Sequence, residues 1–154
     1  MSANIGKKQV LRPKKVFDPN KAGFEHPQPF SQGVISPQGR LVVVAGQVAL
    51  DLKGKVIGKG NPATQTRAAL ENMKAVLAEA GATLEHVVKL TVFLTNMDDL
   101  PKVQEVRARY FPSDPPASST LSISQLVNPD LLVEIEALAV VPEDKLATLA
   151  GSGT

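Results

Sequence analysis

The amino-acid sequence predicts an α+β fold in which two helices pack on one face of a mixed β-sheet. The predicted elements follow the order β-β-α-β-α-β-β, and only two stretches have the apolar periodicity of a surface helix. Helix-bearing crossovers within one sheet require parallel strand neighbours, so both strand directions are expected. A chain of 154 residues is long enough to bury a substantial core as one domain.

The first predicted strands follow a proline-rich lead-in over residues 26–33, where the prolines exclude a helix. A short strand is expected over residues 33–36, and the next covers 41–50. Its first four residues are apolar on both faces, so neither face is expected to meet bulk water. Gly46 interrupts this strand, which commonly marks a bulge or a close approach to a ligand or backbone.

The first helix is predicted between Asn61 and Gly81. Asn61 is a favourable N-cap, Pro62 suits the first helical position, and Gly81 suits the left-handed residue after the helix. The apolar stripe between them has i, i+3, i+4 spacing. It consists of Thr66, Ala69, Leu70, Met73, Val76, Leu77 and Ala80.

A strand over residues 87–96 and a second helix follow. Asp98 or Asp99 is expected to cap this helix, and Pro112 ends it. Its predicted buried side consists of Leu100, Val103, Val106, Tyr110 and Phe111.

The stretch from Ser118 to Val141 predicts a β-hairpin with an Asn-Pro turn. Every odd position from 131 to 141 is apolar, the signature of a strand face packed on a core. A register with Glu136 opposite Thr120 would line hydroxyls and carboxylates, including Glu134, along one surface. That surface depends on the register, and a partly covered polar site and a plain solvated face both stay open.

The second face of the sheet needs a partner. Two helices cover one face, yet several strands are apolar on both faces. We therefore expect another copy of the chain to cover the second face.

Composition excludes several functional classes. The chain has no cysteine, which removes disulfides and thiolate chemistry. No apolar run approaches the roughly 20 residues that span a bilayer, and the N-terminus lacks a signal-peptide core, so a cytoplasmic location without membrane contact is expected. No phosphate loop, dinucleotide fingerprint or metal-binding histidine motif occurs, so no cofactor or metal is expected.

We predict a basic, partly extended arm over residues 1–27, one domain over 28–142 and a tail over 143–154. Six lysines and arginines but one acid fall within residues 1–21. Such an arm can bind nucleic acid, but no aromatic residue lies among these lysines before Phe17, so a solvated arm is favoured.

Several blocks of the sequence resemble the Rid family, the RidA/YjgF group long labelled L-PSP endoribonucleases. These blocks are PFSQGV (29–34), VAGQVALD (44–51), QTRAALENMKAVLAEAG (65–81), VVKLTVFLTNMDDL (87–100), PASST (116–120) and VEIEALAV (133–140). The resemblance implies a chorismate-mutase-like subunit and a homotrimer with small-molecule clefts between neighbouring subunits.

The resemblance also implies cofactor-independent hydrolysis of 2-imino acids, with one important departure. Family deaminases have a Pro-Ala-Arg-Ser block whose arginine clamps the substrate carboxylate. Here Ser118 occupies the arginine position. Loss of such a pair costs on the order of 2–5 kcal/mol, so 2-imino acid deaminase activity is expected to be weak or lost. Arg107 or Arg109 would have to reach in from a helix, or Lys89 from a strand.

Five other positions carry over from the family. Glu134 matches the acid that holds the attacking water, and Thr120 is compatible with a substrate-binding hydroxyl. Gly46 matches a glycine whose backbone approaches the ligand. Phe30 stands at a tyrosine position and Gln104 at an asparagine position.

Two hypotheses follow. One is a hydrolase of the deaminase type acting on a small imine, enamine or amide. The other is a non-catalytic trimer that binds a metabolite, RNA or another protein. No histidine pair or lysine–aromatic cluster supports the endoribonuclease label.

Overall fold

The computed structural model describes residues 6–16 and 28–143. Its elements are β1 (Gln9–Leu11), β2 (Gly33–Ile35), β3 (Gly39–Val48), α1 (Pro62–Glu79), β4 (Val87–Leu94), α2 (Leu100–Tyr110), β5 (Ala117–Ser122) and β6 (Val133–Pro142). From β2 onward this is the predicted order, and β1 is an additional strand. The α+β class with two helices on a mixed sheet is confirmed.

Helix α1 begins and ends where its end signals predict. The side chain of Asn61 accepts a hydrogen bond of 3.0 Å from the backbone N–H of Thr64. Gly81 has a φ of +66°, a conformation that side chains larger than glycine rarely adopt. The predicted stripe is largely buried, with Val76 as the exception at 40% exposure.

The start of α2 agrees with the prediction in position but not in its hydrogen bonds. A short 3₁₀ turn, Met97–Asp99, leads into the helix, and Asn96 caps this turn by accepting from the N–H of Asp98. Asp99 is the N-cap of α2 but makes no capping hydrogen bond with its side chain.

The main sheet has the strand order β3-β6-β4-β5, and the predicted β5–β6 hairpin is wrong. Strand β4 lies between the two strands: Leu90 pairs with Ser118 in parallel on one side and with Ala137 in antiparallel on the other. The apolar β6 takes a central position where both edges are hydrogen-bonded. The hydroxyl-rich β5 remains at the edge, and α2 provides its parallel crossover.

This strand order separates the side chains that the hairpin would have joined. Ser118 and Thr120 are register partners of Leu90 and Val92, which are buried beneath the helices. Glu134 and Glu136 are instead partners of the mixed positions of β4 and lie on the opposite face. Their predicted common surface therefore does not exist within one chain.

The core lies between the sheet and the two helices, whereas the second face carries exposed apolar side chains. Leu41 and Val43 of β3 are 59% and 69% exposed, and Leu138, the register partner of Val43, is also exposed. The predicted apolar character of this uncovered face is confirmed. No helix within residues 6–16 and 28–143 is long and apolar enough to cross a membrane.

Part of the N-terminal arm packs on the domain. Strand β1 pairs antiparallel with β2, and Lys8 Nζ donates a hydrogen bond of 2.9 Å to the carbonyl of Val87. Burial lowers the pKa of Lys8. Of the predicted arm and tail, residues 1–5, 17–27 and 144–154 lie outside the described residues.

Candidate functional site

The guanidinium of Arg107 joins three segments beside the start of β5. Its Nη2 donates a hydrogen bond of 2.8 Å to Ser118 Oγ and one of 3.2 Å to the carbonyl of Pro29. Arg107 is 1% exposed. Burial lowers its pKa to about 10, so the guanidinium remains charged at neutral pH.

The position of Arg107 on α2 explains its burial. It lies four residues after Val103 and three before Tyr110, within the apolar stripe of the helix. This spacing is a sequence signal for an inward-pointing arginine. The sequence left Arg107, Arg109 and Lys89 as alternatives. Arg109 pairs with Glu105 at the surface, and Lys89 Nζ donates to Ser119 Oγ, so of the three bases only Arg107 bonds Ser118.

The proline-rich lead-in runs alongside the first residues of β5. Ser31 N–H donates a hydrogen bond of 2.9 Å to the carbonyl of Pro116, and Ser31 Oγ donates one of 2.5 Å to that of Pro115. These bonds, with the one from Arg107 to Pro29, fix the backbone on both sides of Phe30. Phe30 itself is half-buried.

Two buried polar atoms of α2 have no hydrogen-bond partner among the described residues. They are Gln104 Oε1 and Arg107 Nε, which belong to residues one turn apart on α2. Thr120 follows on the same face of β5, two residues after Ser118. We call Phe30, Gln104, Arg107, Ser118 and Thr120 the β5-edge cluster.

On the opposite face, the carboxylate of Glu134 lies against the backbone of Gly46. Gly46 falls within an irregularity of the β3–β6 pairing, between Val44 and Gln47, as its sequence position predicts. A Cβ atom at Gly46 would collide with the Glu134 carboxylate. Position 46 must therefore be glycine for this close approach.

The predicted site residues thus form two groups that do not meet in one chain. The β5-edge cluster offers donors and a buried cation, and the Glu134–Gly46 pair offers a carboxylate beside half-buried backbone. Among the described residues, no group of three or more potential ligand side chains is arranged to hold a metal ion.

The chain is similar to a large set of proteins. The family model described as endoribonuclease L-PSP matches residues 22–141. A RutC family protein of Pyrococcus horikoshii is 43% identical over 111 residues, which is 72% of this chain and 86% of that protein. The 3-aminoacrylate deaminase RutC of Acinetobacter baylyi is 39% identical over 101 residues, 66% of this chain and 79% of that protein.

Solved structures show the same similarity. YyfB of Yersinia pestis, a Rid family protein, matches with a TM-score of 0.77 and 34% identity, over 88% of this chain and 99% of that one. E. coli TdcF, solved with bound serine, matches with a TM-score of 0.61 and 30% identity, over 75% of this chain and 90% of that one. The chain therefore belongs to the endoribonuclease L-PSP family, whose members also carry the names Rid, YjgF and RutC.

Proposed function

We propose that this protein hydrolyses a small imine or enamine and releases ammonia without a cofactor. The observation that carries the proposal is the contact between the Glu134 carboxylate and the Gly46 backbone on a half-exposed face of the sheet. The similarity to a 3-aminoacrylate deaminase supports the same reaction class.

The proposed reaction needs one carboxylate that can hold water and pass on a proton. Glu134 orients a water molecule and takes its proton as the oxygen adds to the imine carbon. The same proton then goes to the nitrogen and gives a carbinolamine. Glu134 next takes the hydroxyl proton and passes it to the nitrogen as the carbon–nitrogen bond breaks, so a carbonyl compound and ammonia leave and the carboxylate is regenerated. An enamine first gains a proton at carbon to give the imine. Thr120 hydrogen-bonds the substrate, and the backbone at Gly46 approaches it.

We further propose that the site is completed between copies of the chain in a homotrimer. The β5-edge cluster and the Glu134–Gly46 pair lie on opposite faces, so one chain offers each substrate only half of the groups. Leu41 and Val43, on the same face of the sheet as Glu134, are exposed in the single chain, and their burial would favour association. The cluster of one copy would then meet the pair of another.

Ammonia release from freshly generated 2-iminopropanoate and 3-aminoacrylate tests the proposed reaction. Glu134→Gln is expected to lower the rate by about 10²-fold or more, because general acid–base catalysis contributes that much. Glu136→Gln is the matched control, since Glu136 is on the same strand and face but exposed. An unchanged rate for Glu134→Gln would exclude the proposed role.

A non-catalytic trimer that binds a small metabolite is the second candidate. Ser118, in place of the family arginine, favours it, because a serine cannot form a bidentate pair with a carboxylate. The same substitution is the reason to expect weaker turnover of 2-imino acids. Ligand binding without ammonia release from any imine or enamine would favour this candidate.

A further inference from the structure

Arg107 carries a buried positive charge that no described side chain neutralises. Both of its hydrogen bonds go to uncharged oxygens, those of Pro29 and Ser118. None of the ion pairs found within residues 6–16 and 28–143 includes it. A buried charge is unfavourable unless an opposite charge or sufficient hydrogen bonds compensate it. The surroundings of Arg107 therefore favour a negative group.

Ser118 connects this charge to the surface. A hydroxyl can accept and donate hydrogen bonds at the same time. Because Ser118 Oγ accepts from Arg107 Nη2 at 2.8 Å, its own hydrogen remains available to a ligand. Ser118 is half-buried on an edge strand, so the guanidinium lies directly behind any group that binds the hydroxyl.

The unpaired atoms on α2 are a second, independent observation. Gln104 Oε1 is a buried acceptor and Arg107 Nε a buried donor, and neither has a partner within residues 6–16 and 28–143. Buried polar atoms are nearly always hydrogen-bonded in proteins. Two such atoms lie in one turn of α2, one of them on the arginine that bonds Ser118, and they can take further hydrogen bonds from a bound polar group.

We propose that Arg107 and Ser118 together recognise the carboxylate of the substrate. The carboxylate accepts a hydrogen bond from Ser118 Oγ, and Arg107 acts through Ser118 as a positioning residue that supplies the positive field. The positive charge that recognises the carboxylate thus comes from Arg107 on α2 rather than from an arginine at position 118 on β5. One hydroxyl makes fewer bonds than a bidentate arginine, so binding is weaker but still selects anions. This assignment rests on the proposed function for the identity of the site.

Calorimetric titration of the full-length chain with two probes tests the assignment. Pyruvate carries a carboxylate, and pyruvamide is its uncharged analogue of similar size. The unmodified protein is expected to bind pyruvate more tightly. Arg107→Gln should weaken pyruvate binding by about 10- to 100-fold, because the hydrogen bond from Ser118 to the carboxylate then lacks the positive charge behind it, and leave pyruvamide unchanged. Arg109→Gln, an exposed arginine two residues on, should change neither.

Three further variants keep the test decisive if Arg107→Gln fails to fold. Ser118→Ala retains the guanidinium and removes the hydroxyl, so pyruvate binding should fall about 10-fold while pyruvamide loses less. Ser118→Arg alone places two guanidiniums together and should lower stability, and adding Arg107→Gln should restore both stability and pyruvate binding. Equal affinity for the two probes, or unchanged pyruvate affinity in Ser118→Ala, would overturn the assignment.

Binding and turnover separate this inference from the proposed reaction. Pyruvate binding that depends on Arg107, without ammonia release from any imine, would contradict the hydrolase and support the assignment. Ammonia release with equal KM for charged and uncharged substrates, and no effect of Ser118→Ala on KM, would support the hydrolase and contradict the assignment of Arg107 and Ser118.

Discussion

Ser118 and Glu134 lie on opposite faces of the same sheet, with β4 between their strands. Ser118 faces the helices and bonds Arg107, whereas Glu134 faces the uncovered side and contacts Gly46. Within one chain these groups cannot act on the same small molecule. Any joint role in catalysis therefore needs a second copy of the chain.

Gly46→Ala is expected to destabilise the chain by about 1–3 kcal/mol, the usual effect of overpacking, because the new methyl group collides with the Glu134 carboxylate. Ammonia release should fall with it as the carboxylate moves. Denaturant unfolding and the ammonia assay measure the two effects.

Gly33→Ala is the control for this prediction, since its added methyl group meets the end of the flexible Leu11 side chain at 3.1 Å. Equal stability of the two variants would contradict the close approach at Gly46.

Val43→Glu is expected to dissociate the proposed trimer. Val43 is 69% exposed on the uncovered face, and burying a carboxylate against apolar side chains is unfavourable. Light scattering should report a lower mass, and ammonia release should be lost because each copy then keeps half of the site. Val76→Glu, on α1, should leave the mass unchanged. A Val43→Glu protein of unaltered mass would argue against this interface.

Tyr110 is the only tyrosine in a chain without tryptophan, so its ionisation can be followed directly by absorbance. Burial, and then the hydrogen bond of 2.7 Å to Glu71, raise the pKa of Tyr110 to about 12. Glu71→Gln is expected to lower this pKa, whereas Glu79→Gln should not. A titration midpoint at the ordinary value of tyrosine in the folded protein would contradict the contact.

The raised pKa of Tyr110 also determines the direction in which the free energy of unfolding changes with pH. Between the ordinary tyrosine pKa of about 10 and the folded value, the unfolded chain has lost the proton that the folded chain keeps. The unfolded state then binds fewer protons, so the free energy of unfolding falls as pH rises through this window. Tyr110→Phe should flatten this part of the curve, as denaturant unfolding at a series of pH values will show.

Gln65→Leu is expected to lower the free energy of unfolding by about 2 kcal/mol or more, because buried backbone groups lose their partners. Gln65 is fully buried, accepts from the N–H of Leu132 at 2.7 Å, and donates to the carbonyls of Asp130 and Gly58. Arg67→Leu, exposed on the same helix, should have little effect. Similar denaturation midpoints for the Gln65→Leu and Arg67→Leu variants would contradict the prediction.

The sequence alone determined the elements whose signals are local. The caps at Asn61 and Gly81 defined α1, and the alternation from 131 to 141 placed the odd residues of β6 in the core. The interruption at Gly46 marked the irregularity in β3. Such signals depend on neighbours within one or two turns of chain, so they can be read without the fold.

Tertiary structure alone decided which strands pair and what Arg107 contacts. The Asn-Pro turn favoured a β5–β6 hairpin, but long-range pairing put β4 between the strands and moved Ser118 to the helix side. Arg107 lay in the apolar stripe of α2, yet only the packing of α2 against β5 and Pro29 gave it partners. Pairing and packing depend on residues far apart in the chain, and a local pattern that indicates which side chains point inward does not specify which residues they meet.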